Sequence, residues 1–234
     1  MKTAINNQPG GFPFQIDEFY LDLQEDGNKI SILSQEEISS KPFPGLRPFK
    51  TSEFQLFNGR IGQSEELIKR LKKNRFLAVI GSSGTGKSSL VRAGLIPQLF
   101  GGYLHDAGSK WNIAVCRPGK DPVENLAIAL SSIKSNTNEP EELINNFNEI
   151  EPMLSSSIYG LLDLKELLDT DSSLKVAETS TSNLLVIIDQ FEELYRFNRK
   201  DLGKENIENQ FVNLLLKAAL DPGNAVYVII TMRS

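Results

Sequence analysis

The sequence predicts an α/β fold: a doubly wound, mostly parallel sheet flanked by helices. Three observations carry that expectation. Four short apolar runs, at residues 76–80, 111–116, 184–188 and 225–230, alternate with stretches of helical periodicity. The run at 184–188 is five unbroken aliphatic residues, which suits a central parallel strand covered on both faces. Between the first run and the helix-like stretch at 88–100 stand Gly81-Ser82-Ser83-Gly84-Thr85-Gly86-Lys87-Ser88, which match G-x-x-x-x-G-K-S/T, the pattern of a phosphate-binding loop. Average residue usage gives that pattern by chance on the order of once in a hundred chains of this length. Right-handed crossovers would then put a ligand at the C-terminal edge of the strands.

The chain has 234 residues, 40% apolar and 24% charged, the balance of a soluble globular protein. One α/β domain plus extra segments is the economical count. A net charge of −5 argues against an extended nucleic-acid surface, because phosphate-backbone binders carry a basic excess. Cys116 stands alone, which excludes a disulfide framework and a cysteine metal site and fits a reducing compartment. It reads as a small buried side chain. Residues 1–14 hold no apolar core of signal-peptide length, and no run of 18 apolar residues occurs, so a cytoplasmic protein without a membrane span is expected.

The elements follow in chain order. Residues 1–41 carry seven Asp and Glu against three Lys and are broken by Pro9-Gly10-Gly11, the composition of an acidic arm or linker. A strand pair at 15–23 and 29–33, around the turn former Glu25-Asp26-Gly27-Asn28, is the alternative. Pro42-Phe43-Pro44-Gly45-Leu46-Arg47-Pro48-Phe49 forbids helix interior and central strand, so it predicts a rigid extended lead-in to a P-loop domain over 42–234. A helix is expected at 64–74, with Ser64 as N-cap, Leu67, Ile68 and Leu71 on one face, and Glu65/Lys69 and Glu66/Arg70 as i,i+4 pairs. Its end, 69–75, holds five basic residues in seven, which is where the helix dipole favours cations. Another helix is expected at 125–133. Residues 136–183 form the least regular stretch and read as a helical, Ser-rich insertion, with Leu161, Leu164, Leu167 and Leu168 amphipathic and a loose Ser/Thr tract at 169–182. A helix at 205–220 turns Ile207, Phe211, Leu214, Leu215 and Ala218 inward and is stopped by Asp221-Pro222-Gly223-Asn224. The sequence then ends directly after its fourth strand, which predicts a fragment of a longer protein.

The chemistry starts at the loop. Gly81, Gly84 and Gly86 let the chain curl so that successive backbone N–H groups face one anion at a helix N-terminus. The phosphate-binding set is Gly81, Ser82, Ser83, Gly84, Thr85, Gly86, Lys87, Ser88 and Ser89. Lys87 would reach the β- and γ-phosphates, and Ser88 would ligate Mg²⁺. Such a loop needs a carboxylate from a neighbouring strand end to hold the magnesium shell, and Asp189 follows the aliphatic run directly. Three and four residues on, Glu192 and Glu193 stand where one carboxylate can orient a water in line with the γ-phosphate. The alternative reading is a pair of solvated glutamates drawn to a helix start. Gln190 occupies the place where many related ATPases put the glutamate base, which predicts slow hydrolysis. His105 and Trp111 read as structural.

Together these residues resemble the novel STAND NTPases, a branch of the signal-transduction ATPases with numerous domains. The resemblance runs from Pro42 to Ser234. It rests on Pro44-Gly45-Leu46-Arg47-Pro48-Phe49, Leu56-Phe57-Asn58-Gly59-Arg60, Phe76-Leu77-Ala78-Val79-Ile80 with its loop, and Leu90-Val91-Arg92-Ala93-Gly94-Leu95-Ile96-Pro97. Arg117-Pro118-Gly119-Lys120-Asp121-Pro122 and Asp189-Gln190-Phe191-Glu192-Glu193-Leu194 complete it. The resemblance implies an ATP-switched regulator between an effector and a repeat-built sensor, with ADP as resting ligand and ATP driving self-association. It also implies that Gly59 and Arg60 lie near the adenine and ribose, and that Thr231 and Arg233 read the γ-phosphate. ATP over GTP rests on this resemblance alone. Ile61 departs from it, standing where the family places an acidic residue, and the sequence stops before the family's fifth strand, helical lid and winged-helix region. A nucleotide-dependent interaction or scaffold module without useful hydrolysis is the second reading.

Overall fold

The computed structural model describes residues 43–135, 139–170, 182–197 and 205–234. The acidic arm expected at 1–41 and most of the Ser/Thr tract lie outside the described residues. Four parallel strands, β1 (Phe76–Gly81), β2 (Trp111–Cys116), β3 (Asn183–Ile188) and β4 (Val226–Arg233), form one sheet in the order β1-β4-β3-β2. The α/β parallel architecture is therefore the expected one. Because β4 lies between β1 and β3, the register puts Gly81 opposite Arg233 and brings the ends of all four strands to one edge.

Helices cover both faces. Helix α1 (Ile61–Lys73) and the helix over 87–100, here α2, pack on one. The other carries α3 (Pro122–Lys134), α4 (Pro140–Ser156), α5 (Gly160–Thr170) and α7 (Glu205–Leu220), with the short α6 (Glu193–Phe197) after β3. Side chains alternate along a strand, so each strand feeds two cores. Leu184, Val186, Ile188, Val226, Val228 and Ile230 pack with Leu126, Leu161 and Phe211. Leu185, Ile187, Tyr227 and Ile229 pack with Leu71, Leu95 and Leu99. At about 1.5–3 kcal/mol for each fully buried aliphatic side chain, these two layers dominate the stability of the sheet.

Three expectations need correction. Helix α1 begins at Ile61, with Arg60 as N-cap, so Ser64 is not the cap but a buried residue of the first turn, 2% exposed. The physical reason is close packing. Gly94 on α2 lacks a side chain, and a Cβ built there would lie 2.4 Å from Ser64 Oγ, so only a small residue on α1 fits. The stretch after α3 is more regular than expected. Its helix α4 buries Leu143, Asn146, Ile150 and Leu154 at spacings of three and four residues, a stripe diluted in sequence by Asn and Glu. Helix α3 starts at Pro122, three residues early, because proline suits the first helical position.

Candidate nucleotide site

Strand β1 ends at Gly81, and the loop turns back into α2 through Gly84 (φ 76°) and Gly86 (φ 77°). Both occupy the left-handed region, which side chains disfavour. Thr85 closes the loop, donating from its backbone N–H and its hydroxyl to Ser82 O at 3.4 and 2.8 Å. Lys87 Nζ reaches back to donate to Gly81 O at 2.8 Å and Ser82 O at 2.9 Å. On the outer side, Arg60 Nη1 donates to Thr85 O at 2.6 Å, and its guanidinium lies against Gly86. Gly59 is exposed with φ 86°, and Ser83 is exposed beside Ser82. Ser89 is buried, its Oγ accepting the Phe49 N–H at 3.2 Å, which ties the proline-rich lead-in to the root of the loop.

Facing the loop across β4 is Asp189, 2% exposed. A buried carboxylate is costly unless paired and hydrogen-bonded. Here Oδ1 accepts from Ser88 Oγ at 2.8 Å and from Thr231 Oγ1 at 2.5 Å, while Oδ2 faces Arg92 Nη2 at 3.5 Å. Its own N–H donates to Cys116 O, extending the β2–β3 ladder by one residue. Burial, with Asp189 nearby, pushes the Cys116 thiol well above its usual range. Gln190 follows with φ 56°, the one non-glycine residue with positive φ among those described. Its N–H donates to Thr231 Oγ1 at 3.1 Å, and the Phe191 N–H donates to Thr231 O at 2.8 Å.

The two glutamates diverge. Glu192 Oε2 accepts the Arg233 N–H at 3.1 Å, and Ser234 N–H donates to Gly81 O at 3.3 Å, so Glu192 shares the β4 end with the loop. Glu193 instead faces Arg117 and the Gly119 N–H beyond β2. Burial raises its carboxyl above the ordinary 4.5, with Arg117 pulling the other way and Glu192 adding repulsion. The Arg233 side chain is exposed.

A family model described as novel STAND NTPase 1 matches residues 42–234. The chain belongs to that family. As a novel STAND NTPase it is a nucleotide-binding, NTPase-type module. A solved structure of the Aeropyrum pernix ORC2 protein (ADPNP-ADP complexes) is similar at 15% identity and a TM-score of 0.45, covering 82% of this chain and 43% of that one. The chain thus spans less than half of that protein's length, and the overlap is too loose to carry an argument about function. Comparison with curated proteins gives no match.

Within this STAND chain, Ser88 and Asp189 put a hydroxyl and a carboxylate oxygen 2.8 Å apart, a pair of hard donors of the kind Mg²⁺ takes. Among the described residues no cluster of three or more His, Cys, Asp or Glu could hold a metal unaided. The donor set therefore fits an ion that takes one or two protein ligands and completes its shell with water and substrate phosphates. Among those residues, too, no helix is long and apolar enough to cross a membrane. Sequence reasoning gave no role to Arg92, although it lies four residues after Ser88 on the same helix; that i,i+4 step was the readable signal.

Proposed function

We propose that the chain is an ATP-binding switch of STAND type, with slow Mg²⁺-dependent hydrolysis, that regulates an attached or partner effector in the cytoplasm. The observation that carries this reading is the bridge from Ser88 through Asp189 to Thr231, set beside a glycine-curled loop and Lys87. The loop N–H groups at the start of α2 would receive the phosphates. Lys87, which here donates to two loop carbonyls, would turn to the β- and γ-phosphate oxygens. Ser88 would ligate Mg²⁺ and Asp189 would hold its shell; the positive charge that offsets the phosphates would be the ion's. Gly59 and Arg60 would border the base and ribose, and Arg233 would sense the γ-phosphate. Of the two glutamates, Glu192 is the better candidate to orient water, because it shares the β4 end with the loop while Glu193 faces the β2 side.

As a switch, ATP acts only to the extent that it binds an open, self-associating state better than the closed one. Hydrolysis then resets the state. The test is Mg²⁺-dependent binding of labelled ATP, ADP and GTP to the purified chain, with Lys87→Ala as control, followed by phosphate release. Tight adenine-nucleotide binding lost in the control supports the reading; no binding by folded wild-type protein defeats it. The second reading, a nucleotide-binding scaffold without useful hydrolysis, is favoured by Gln190 at the position after Asp189. The Glu192→Gln/Glu193→Gln double variant separates the two. Abolished phosphate release supports the switch, and release at the wild-type level supports the scaffold.

A further inference from the structure

We propose that Arg92 is a positioning residue for Mg²⁺, fixing the plane of the Asp189 carboxylate and so the direction in which it presents an oxygen beside Ser88; this rests on the nucleotide-site reading above. The two oxygens of a carboxylate are equivalent, so what its neighbours can fix is the rotation about its Cβ–Cγ bond. The surroundings of Asp189 hold that rotation from both sides. Oδ1 takes the hydroxyls of Ser88 and Thr231, and Oδ2 takes the Arg92 guanidinium. With the guanidinium on the far oxygen, the carboxylate plane is kept from turning away from the Ser88 side. A guanidinium suits this task because it is planar, permanently charged and directional.

The fold invests in placing this arginine. Arg92 is 7% exposed and stands among Leu90, Val91, Ala93 and Leu95, all buried, where an apolar residue would be the cheaper occupant. The helix is π-helical over Leu90–Leu95, a wider turn that is rare and concentrates at functional sites. One face of that turn is locked by the Gly94 approach to Ser64, which sets the rotation of the helix and so the direction of Arg92. Groups behind a metal ligand commonly set metal affinity 10- to 100-fold through orientation.

The experiment compares wild type, Arg92→Met and Arg92→Lys. Fluorescent ADP and ATP binding is titrated with and without Mg²⁺, alongside phosphate release and thermal melting. For Arg92→Met, Mg²⁺-free nucleotide binding should stay within about 2-fold of wild type while the Mg²⁺ half-saturation rises about 10-fold or more and turnover falls. Arg92→Lys, which keeps the charge but loses the fork, should fall between. A wild-type Mg²⁺ half-saturation in both variants overturns the proposal. So does an equal loss of Mg²⁺-free and Mg²⁺-dependent binding, which marks a structural role. Should Arg92→Met fail to fold, Arg92→Lys decides alone by the same shift in half-saturation. Wild-type protein that binds no nucleotide overturns the nucleotide-site reading itself and this assignment with it, an outcome distinct from any difference among the variants.

Discussion

Thr231 commits its hydroxyl proton to Asp189 Oδ1 and a lone pair to the Gln190 N–H. Thr231→Val keeps the shape and removes both bonds. It should cost about 1–3 kcal/mol by leaving buried groups unpaired, and Thr231→Ser should recover most of the loss; chemical denaturation of the three proteins checks it. An unchanged midpoint in the valine variant would count against the bridge. Glu193 gives a pH signature. Its carboxyl is raised above 4.5 chiefly by burial, so the fold prefers the neutral form. The stability this gives is complete below about pH 4.5 and is lost as pH rises through the raised folded value. Glu193→Gln, neutral at every pH, should therefore run level with wild type below that window, gain on it across the window, and keep the gained margin above. Melting temperature against pH measures the difference, and parallel curves throughout the window would contradict the burial argument.

At the scale of elements, α1 and α2 meet where Gly94 faces Ser64. Gly94→Ala places a methyl 2.4 Å from Ser64 Oγ and 3.3 Å from Phe57 Cε1 and Leu90 Cδ1. Overpacking of this kind costs about 1–3 kcal/mol, so the variant should melt earlier, and Ser64→Gly in the same chain should restore part of the loss. The pairing of the two sites in a double-mutant cycle is the measurement, and purely additive effects would sink it. This contact also explains what could not be read from residues 61–74 alone. Ser64 looks like a cap because serine favours caps, yet the partner that buries it lies thirty residues away on another helix. Helix α4 was hard to read for a different reason: its buried stripe faces α3 and α5 and holds only four residues in seventeen, one of them the polar Asn146.

For the whole molecule, the four strand ends and the start of α2 form one edge, so a ligand held there contacts elements from across the chain. Nucleotide binding should accordingly stabilise the global fold rather than one loop. At 100 times its dissociation constant a ligand adds about 2.7 kcal/mol, enough to raise the melting temperature by about 5–11 °C in a domain of this size. Differential scanning with MgADP checks this, and Lys87→Ala should lose the shift. A ligand-induced rise retained in Lys87→Ala would place binding elsewhere. The core should respond to mutation across the same span. Phe211, fully buried where α7 packs on β4, should cost about 3–5 kcal/mol on change to alanine, read from denaturant unfolding.

Local sequence determined the strands, the loop and the identity of the residues that face it. An aliphatic run must be buried, three glycines permit a curl that other residues resist, and an acid after a strand stands at the strand's end. Those are short-range facts, set by side-chain chemistry and backbone sterics within a few residues. Tertiary structure alone decided that β4 lies between β1 and β3, and with it that Thr231 meets Asp189, that Glu192 rather than Glu193 shares an edge with the loop, and that Arg92 backs the carboxylate. Such pairings join residues 41 to 101 positions apart in most cases. No local periodicity encodes them, because they depend on which strands pair and which helix faces pack, and these are settled by burying both sheet faces at once.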